Sequence, residues 1–196
     1  MLAMAAPLIL ASTSPYRRQL LARLGLNFGV EKPACDEATF KQAASSPSQL
    51  ATTLAAHKAR SIAQRRADAI VIGSDQVCAL GDDVFEKPGD RKGAIAQLQR
   101  LRGRAHAIIT AVCVCHAGRE SAFVDVSELN MRALTDAEIE RYVDADRPFD
   151  CAGAYKLESA GIALFSRVVS SDHTAITGLP LLQLCRVLRD FGVDLP

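Results

Sequence analysis

Hydrophobic and polar positions fall into blocks along this chain. The runs Leu8–Ala11, Ala69–Gly73 and Ala105–Cys115 are nearly all apolar and predict buried strands. Parallel or central strands are covered on both faces and lose the alternation of a half-exposed sheet. Shorter strands are predicted at Asn27–Val30, around Phe123–Val126 and at Ile162–Phe165. Between them apolar residues return at helical spacing: Leu20, Leu21 and Leu24; Leu50, Leu54 and Ile62; Ile95, Leu98 and Leu101; Leu181, Leu184, Cys185 and Leu188. Ser14-Pro15 and Ser46-Pro47 each combine an N-cap hydroxyl with a proline that lacks only an N–H that would be orphaned there. The second of these helices is expected to reach about Arg66. Asp90 caps a third, and Thr135-Asp136-Ala137-Glu138 is a capping box opening a helix to Val143. Gly25 and Gly103 suit helix ends, and Gly81-Asp82-Asp83 suits a hairpin turn. Strands and helices in this succession predict an α/β fold, and the absence of repeats or linkers predicts one domain over 1–196.

Chemistry gathers where apolar runs give way. The first strand ends in Ser12-Thr13-Ser14, and Arg17 and Arg18 occupy the first turn of the helix that follows. Backbone N–H groups, the helix dipole, hydroxyls and guanidinium groups meet there, which suits an anion such as phosphate. Arginines in a first turn oppose the dipole and are poorly placed without one. This is not a Walker loop, for it lacks the glycines and the Gly-Lys-Ser/Thr. Lys58 interrupts the apolar stripe of its helix between Leu54 and Ile62, so it must snorkel or meet an anion. The strand Ala69–Gly73 is expected to deliver Ser74-Asp75-Gln76 at its C-terminal end, where α/β sheets place chemistry; Asp75 is a candidate metal ligand or general base. Asp36-Glu37, in the loop after the second strand, could hold a cation. Lys87, extended before Pro88, could reach the same point.

Composition narrows the field. Among 196 residues the net charge is +1, which gives no argument for nucleic acid or an anionic membrane, and 49% are hydrophobic, enough for a sizeable core. No apolar run has transmembrane length, and Met1–Pro7 lacks a charged signal region; Met1-Leu2-Ala3-Met4 reads as an alternative start or a cloned extension. The six cysteines form no CxxC pair and suit a reducing, cytoplasmic compartment. Cys113-Val114-Cys115-His116 has no second ligand pair at zinc spacing, and strand alternation puts both thiols on one face, so its reading is structural. The histidines form no triad with a serine or cysteine.

The pieces Ala11–Arg18, Asp36-Glu37, Lys58 in His57-Lys58-Ala59, Gly73–Gln76, Lys87-Pro88, Ala152–Glu158 and Gly178-Leu179-Pro180, in this order, resemble the Maf/YceF family of nucleoside-triphosphate pyrophosphatases. The likeness covers almost the whole chain. It implies a mixed α/β fold of Maf/ITPase-like type, a bent sheet in two lobes with a central cleft. It also implies a divalent metal cofactor (Mg²⁺ or Mn²⁺), a cytoplasmic homodimer, and cleavage of a nucleotide between its α- and β-phosphates to the monophosphate and pyrophosphate. Carried over residue by residue, Ser12 and Arg17 match the phosphate-binding turn, and Lys58 and Lys87 the two phosphate-site lysines. Glu37 matches the acid after the second strand and Asp75 the proton acceptor; these two carboxylates are the implied metal ligands.

Three base-facing positions divide the family. A subgroup acting on dTTP and UTP carries Arg, Thr and Gln; this chain has Tyr16, Gln76 and Glu158, which resemble the YceF subgroup and imply 7-methyl-GTP as substrate. Methylation at N7 makes guanine cationic, which favours an aromatic face, and a carboxylate can accept from its N1–H and amino group together. Tyr16 stands where tryptophan is expected, Cys35 where valine often precedes the acidic pair, and Ala175 where a polar residue is expected. The alternatives are the dTTP/UTP enzyme and a binding protein regulating cell division. The joint presence of Glu37, Lys58, Asp75 and Lys87 favours an enzyme.

Overall fold

The computed structural model describes residues 6–35 and 37–195, apart from the Gln42 side chain; Met1–Met4 and Asp36 of the acidic pair lie outside the described residues. The elements are β1 (Leu8–Ala11), α1 (Pro15–Ala22), β2 (Phe28–Glu31), α2 (Glu37–Ala43), α3 (Pro47–Ala63), β3 (Ile70–Leu80), β4 (Asp83–Phe85) and α4 (Arg91–Leu101). They continue with β5 (Ala105–His116), β6 (Arg119–Met131), α5 (Asp136–Asp146), β7 (Phe165–Val169), α6 (His173–Thr177) and α7 (Leu181–Asp190). The seven strands form one mixed sheet in the order β2-β1-β3-β5-β6-β7, with β4 on β3. β1 is parallel to β2 and β3, and the remaining pairs are antiparallel.

β3 holds the sheet together and also opens it. Its first residues, Ile70–Gly73, pair with Leu8–Ala11 of β1, and its last, Cys78–Leu80, pair with Asp83–Phe85 of β4 across the expected Gly81-Asp82 turn. In between, Ser74–Val77 pair with β5 alone among the described strands. The sheet therefore parts along one edge of β3, and that gap is where polar side chains can gather. Strand alternation then sorts them. Val71, Gly73, Asp75 and Val77 face α3, whereas Ile72, Ser74, Gln76 and Cys78 face the opposite side.

Each face has its own core. α3 buries Leu50, Leu54 and a run of alanines against Val77, Ala79, Ile109, Ala111, Cys113 and Cys115. α1 and α7 bury Leu20, Leu21, Leu184 and Leu188 against Leu8, Leu10, Ile70, Ile72 and Val112. α4 and α5 cover the far ends of β3, β5 and β6 through Leu98, Leu101, Ile139 and Val143. Gly73 sets the spacing between α3 and β3: a Cβ there would fall within contact distance of the Ala55 carbonyl and 2.5 Å from Ala59 N. That close approach is what lets a lysine of α3 reach an acid of β3.

Most predicted caps are present. Ser14, Ser46, Asp90 and Thr135 accept from the backbone of Arg17, Gln49, Gly93 and Glu138, and the Thr135 capping box is closed on both sides. Four expectations give way. The strand expected to end at Gly73 runs unbroken to Leu80, so Asp75 lies at mid-strand rather than at its C-terminal end. The expected strand Ile162–Phe165 is a 3-10 turn over Ala160–Leu164, pinned by the Gly161 N–H on the Lys156 carbonyl, and β7 starts only at Phe165. The helix from Pro47 ends at Ala63, short of Arg66. Glu37 opens a helix, α2, instead of lying in a loop. α2 and α6, at seven and five residues, are too short to show a hydrophobic period.

Candidate active site

A cleft of about 580 Å³ opens at the gap beside β3. Ser12, Tyr16, Arg17, Glu37, Lys58, Asp75, Gln76, Lys87 and Glu158 all line it. They come from separate segments between β1 and the loop after α5, and the fold brings these nine onto one surface; Arg18 does not line it.

At its inner end Lys58 lies between two acids. Its Nζ is 2.6 Å from Asp75 Oδ1 and 2.7 Å from Glu37 Oε1. Lys58 and Asp75 are 8% and 7% exposed, so the lysine does not snorkel out but ends on a buried carboxylate. Burial disfavours the Lys58 charge, but Asp75 and Glu37 outweigh it and hold the ammonium above its usual range. The two acids part company. Burial pushes Asp75 up, and Lys58 and Arg17 only partly pull it back. Burial also acts to raise the half-exposed Glu37, but its contact with Lys58 takes it below the usual carboxylate range. Environments that drive a pair of carboxylates apart mark one as a proton acceptor and the other as a lasting charge.

The same pair bears on a metal. Glu37 and Asp75 each turn one oxygen to a single positive charge, the Lys58 Nζ, and each has a second oxygen to offer. Two carboxylates gathered around one cation form a hard-oxygen donor set of the kind Mg²⁺ and Mn²⁺ select. The residues present fit such an ion.

The turn after β1 is more self-contained than a bare helix N-terminus. The Ser14 N–H donates to Ser12 Oγ at 3.1 Å, and the Arg17 N–H to Ser14 Oγ at 3.4 Å. Two of the N–H groups expected to face an anion are thus satisfied by local hydroxyls, as serine-rich turns arrange. Arg17 donates through Nε to the Gly178 carbonyl at 2.9 Å, and that carbonyl also accepts from buried Ser74 at 3.1 Å. Gly178 sits at φ 118°, a conformation L side chains rarely adopt. Burial lowers Arg17 from its ordinary range, opposed by Asp75 and Glu37. Arg18 is exposed and Lys87 lies exposed on the rim, where its charge helps to lower Glu37.

At the outer end stand Tyr16, Gln76 and Glu158. Gln76 turns its amide NH₂ away from the cleft, to Thr110 Oγ1 at 3.0 Å and the Ala175 and Ile176 carbonyls at 2.8 and 2.9 Å. This fixes which atom it can present: with the NH₂ engaged, Oε1 is the group free to accept from a ligand. Ala175, where a polar side chain was expected, contributes its backbone carbonyl instead. Tyr16 donates its hydroxyl to Asp150 Oδ2 at 3.1 Å; burial, Cys151 and Asp150 all keep the phenol protonated. Glu158 is exposed and lines the same cleft.

Sequence reasoning missed several lining residues. Asp150 immediately precedes the Cys151–Glu158 turn and carried no signal of its own. Lys41 of α2 and Glu86 meet at 2.7 Å, both on the lining, and tie α2 to the segment after β4. Beneath the site, Asp172 and Thr174 cap α7 from outside it: Leu182 N–H donates to Asp172 Oδ2 at 2.8 Å and Leu181 N–H to Thr174 Oγ1 at 2.9 Å. That network anchors α6, which grips Gln76. The two thiols of the Cys-x-Cys lie buried against α3, away from the cleft, 3.7 Å apart and with Glu120 3.8 Å from Cys115.

Comparison with known proteins places the chain among relatives. The profile of the family described as "Maf-like protein" matches residues 7–191. A protein of Xanthomonas oryzae pv. oryzae named 7-methyl-GTP pyrophosphatase is 50% identical over 189 residues, covering 96% of this chain and 98% of its own. Proteins of the same name from Bdellovibrio bacteriovorus and Albidiferax ferrireducens are 43% and 45% identical, over 93% and 95% of this chain and 96% and 94% of theirs.

Proposed function

The chain belongs to the Maf-like protein family, and we propose that it is a nucleoside-triphosphate pyrophosphatase acting on 7-methyl-GTP, releasing 7-methyl-GMP and pyrophosphate. The observation that carries this reading is the Asp75–Lys58–Glu37 row at the head of a cleft whose other end offers an aromatic ring and a carboxylate. A triphosphate brings about four negative charges, and attack by water adds charge on the phosphorus oxygens. Arg17, Lys58 and Lys87 supply positive charge to that region, and the first two are fixed by hydrogen bonds before any substrate arrives.

Asp75, with its proton affinity raised by burial, accepts the proton of the attacking water as the new P–O bond forms and the α–β bridge breaks toward pyrophosphate. Glu37 stays ionised beside it. Lys58 holds both in place and keeps Asp75 aimed into the cleft. A Mg²⁺ or Mn²⁺ ion held by Glu37 and Asp75 supplies, when bound, further neutralisation of phosphate charge. Tyr16 gives the cationic base an aromatic face, Gln76 Oε1 accepts from its donors, and Glu158 takes its N1–H and amino group.

The same reading includes a cytoplasmic homodimer. The cysteines are free thiols, as a reducing compartment maintains. Among the described residues no helix is long and apolar enough to cross a membrane. Val126 and Val169, 58% and 44% exposed on neighbouring strands, offer apolar contact to a second copy. Product analysis tests the reaction. Incubation with 7-methyl-GTP and Mg²⁺ or Mn²⁺ should yield 7-methyl-GMP and pyrophosphate in equal amounts. Release of 7-methyl-GDP and orthophosphate, or no turnover, would refute it.

A further inference from the structure

Tyr16 and Asp150 are 134 positions apart in sequence, yet they meet across the outer end of the cleft, where α1 faces the loop after α5. Tyr16 Oη donates to Asp150 Oδ2, and both residues line the cleft with Glu158. A phenol ring on a helix has two free torsions; anchoring its hydroxyl at the far wall leaves the ring face as a fixed surface. The other carboxylate oxygen, Oδ1, accepts from the Cys151 thiol at 3.6 Å and has Lys156 Nζ 3.9 Å away. Lys156 in turn donates to the Asp146 carbonyl at 3.1 Å, so it is shared rather than closed onto Asp150.

The outer end therefore carries two carboxylates and an aromatic ring with only the shared Lys156 beside them, whereas at the inner end Arg17, Lys58 and Lys87 more than offset Glu37 and Asp75. This polarity suits a ligand that is anionic at one end and cationic at the other. A triphosphate joined to an N7-alkylated purine has that charge pattern; one joined to an ordinary purine does not.

Resting on the reading of this site as a 7-methyl-GTP pyrophosphatase, we propose that Asp150 is a further specificity-determining residue. It fixes the Tyr16 ring as the platform for the base, and its charge selects a cationic base over a neutral one. The two roles separate by substitution. Asp150→Asn keeps an acceptor for the Tyr16 hydroxyl and removes the charge. Tyr16→Phe keeps the ring and the charge and removes the tether.

The experiment measures kcat and KM for 7-methyl-GTP and GTP in wild type and both variants, with thermal melts as a check on folding. Asp150 is exposed, so its charge acts through solvent and the effect should be modest. Asp150→Asn should lower the ratio of kcat/KM for 7-methyl-GTP to that for GTP by about two- to fivefold, the scale of an exposed charge pair. Its loss should fall on the methylated substrate. Tyr16→Phe should leave the ratio in place and raise KM for both substrates with little change in kcat. An unchanged ratio in Asp150→Asn, or equal losses on both substrates, overturns the inference while leaving the activity itself standing. A wild type that does not favour 7-methyl-GTP over GTP overturns both.

Discussion

The two ends of the cleft are built differently. The inner end is sheet and long helix: Asp75 from the middle of β3 and Lys58 from α3, both more than nine-tenths buried. The outer end is mostly a helix tip and a loop: Tyr16 on the first turn of α1, Asp150 and Glu158 on the segment after α5, both acids exposed, with only Gln76 contributed by β3. Phosphate chemistry needs charges whose positions are paid for before substrate binds, and burial makes each charge act at full strength. Base selection needs a difference between two similar rings, and exposed side chains on loops can supply it and can change without disturbing the core. Reaction and specificity are therefore separable in this molecule, and substitutions at the two ends should fail in different ways.

The largest effect is expected at the inner end. Asp75→Asn keeps the size of the side chain and removes the proposed proton acceptor, so kcat should fall about 10²-fold or more on every nucleotide while circular dichroism stays that of the wild type. The pH profile carries the same information. Because burial raises Asp75, it stays protonated to higher pH than an ordinary carboxylate, and only the ionised form accepts a proton. Activity should therefore decline as pH falls and Asp75 takes up its proton, and residual Asp75→Asn activity should lack that limb. Turnover near that of wild type in the variant would remove Asp75 from its role.

A smaller effect reaches the inner end through the backbone. Gly73→Ala puts a methyl against the backbone of α3 at Ala55 and Ala59, so the helix must shift. Stability should drop by roughly 1–3 kcal/mol, the usual scale of overpacking, with a loss of kcat as Lys58 and Asp75 separate. A denaturant melt and an assay on the same preparation check this; a variant as stable and as active as wild type would contradict it.

Removing the aromatic ring at the outer end should show in selectivity rather than in turnover. Tyr16→Ala should cost about 1–2 kcal/mol of the preference for a cationic base, the scale of a cation over an aromatic face, and leave kcat on GTP close to its starting value. Specificity constants for 7-methyl-GTP, GTP and UTP check it. A uniform fall on all three would show that Tyr16 does not read the base.

How far the sequence carried depended on the kind of signal. Ser14, Ser46, Asp90 and Thr135 act within one turn of their own helix, and each cap is found where its hydroxyl or carboxylate and the following residues placed it. Lys58 was legible because a charge on an apolar stripe demands a partner; that the partner is Asp75 depends on Gly73 letting α3 touch β3, a tertiary fact. Asp75 was misplaced at a strand end because Ser74-Asp75-Gln76 break the apolar run. In the fold β5 pairs with the strand through the break and Lys58 covers the charge. Asp150 was silent because its meaning lies in a contact with a residue far away in the chain. The grip on Gln76 was silent because its acceptors are mostly backbone carbonyls of α6, too short a helix to announce itself.

The central claim is that one cleft joins pyrophosphatase chemistry to selection of a cationic guanine. The most direct test is pyrophosphate release by the wild type, with kcat/KM determined for 7-methyl-GTP, GTP, dTTP and UTP under the same conditions and with the same divalent ion. The account predicts the highest value for 7-methyl-GTP, with GTP below it. A higher value for UTP or dTTP, or equal values for 7-methyl-GTP and GTP, would contradict it.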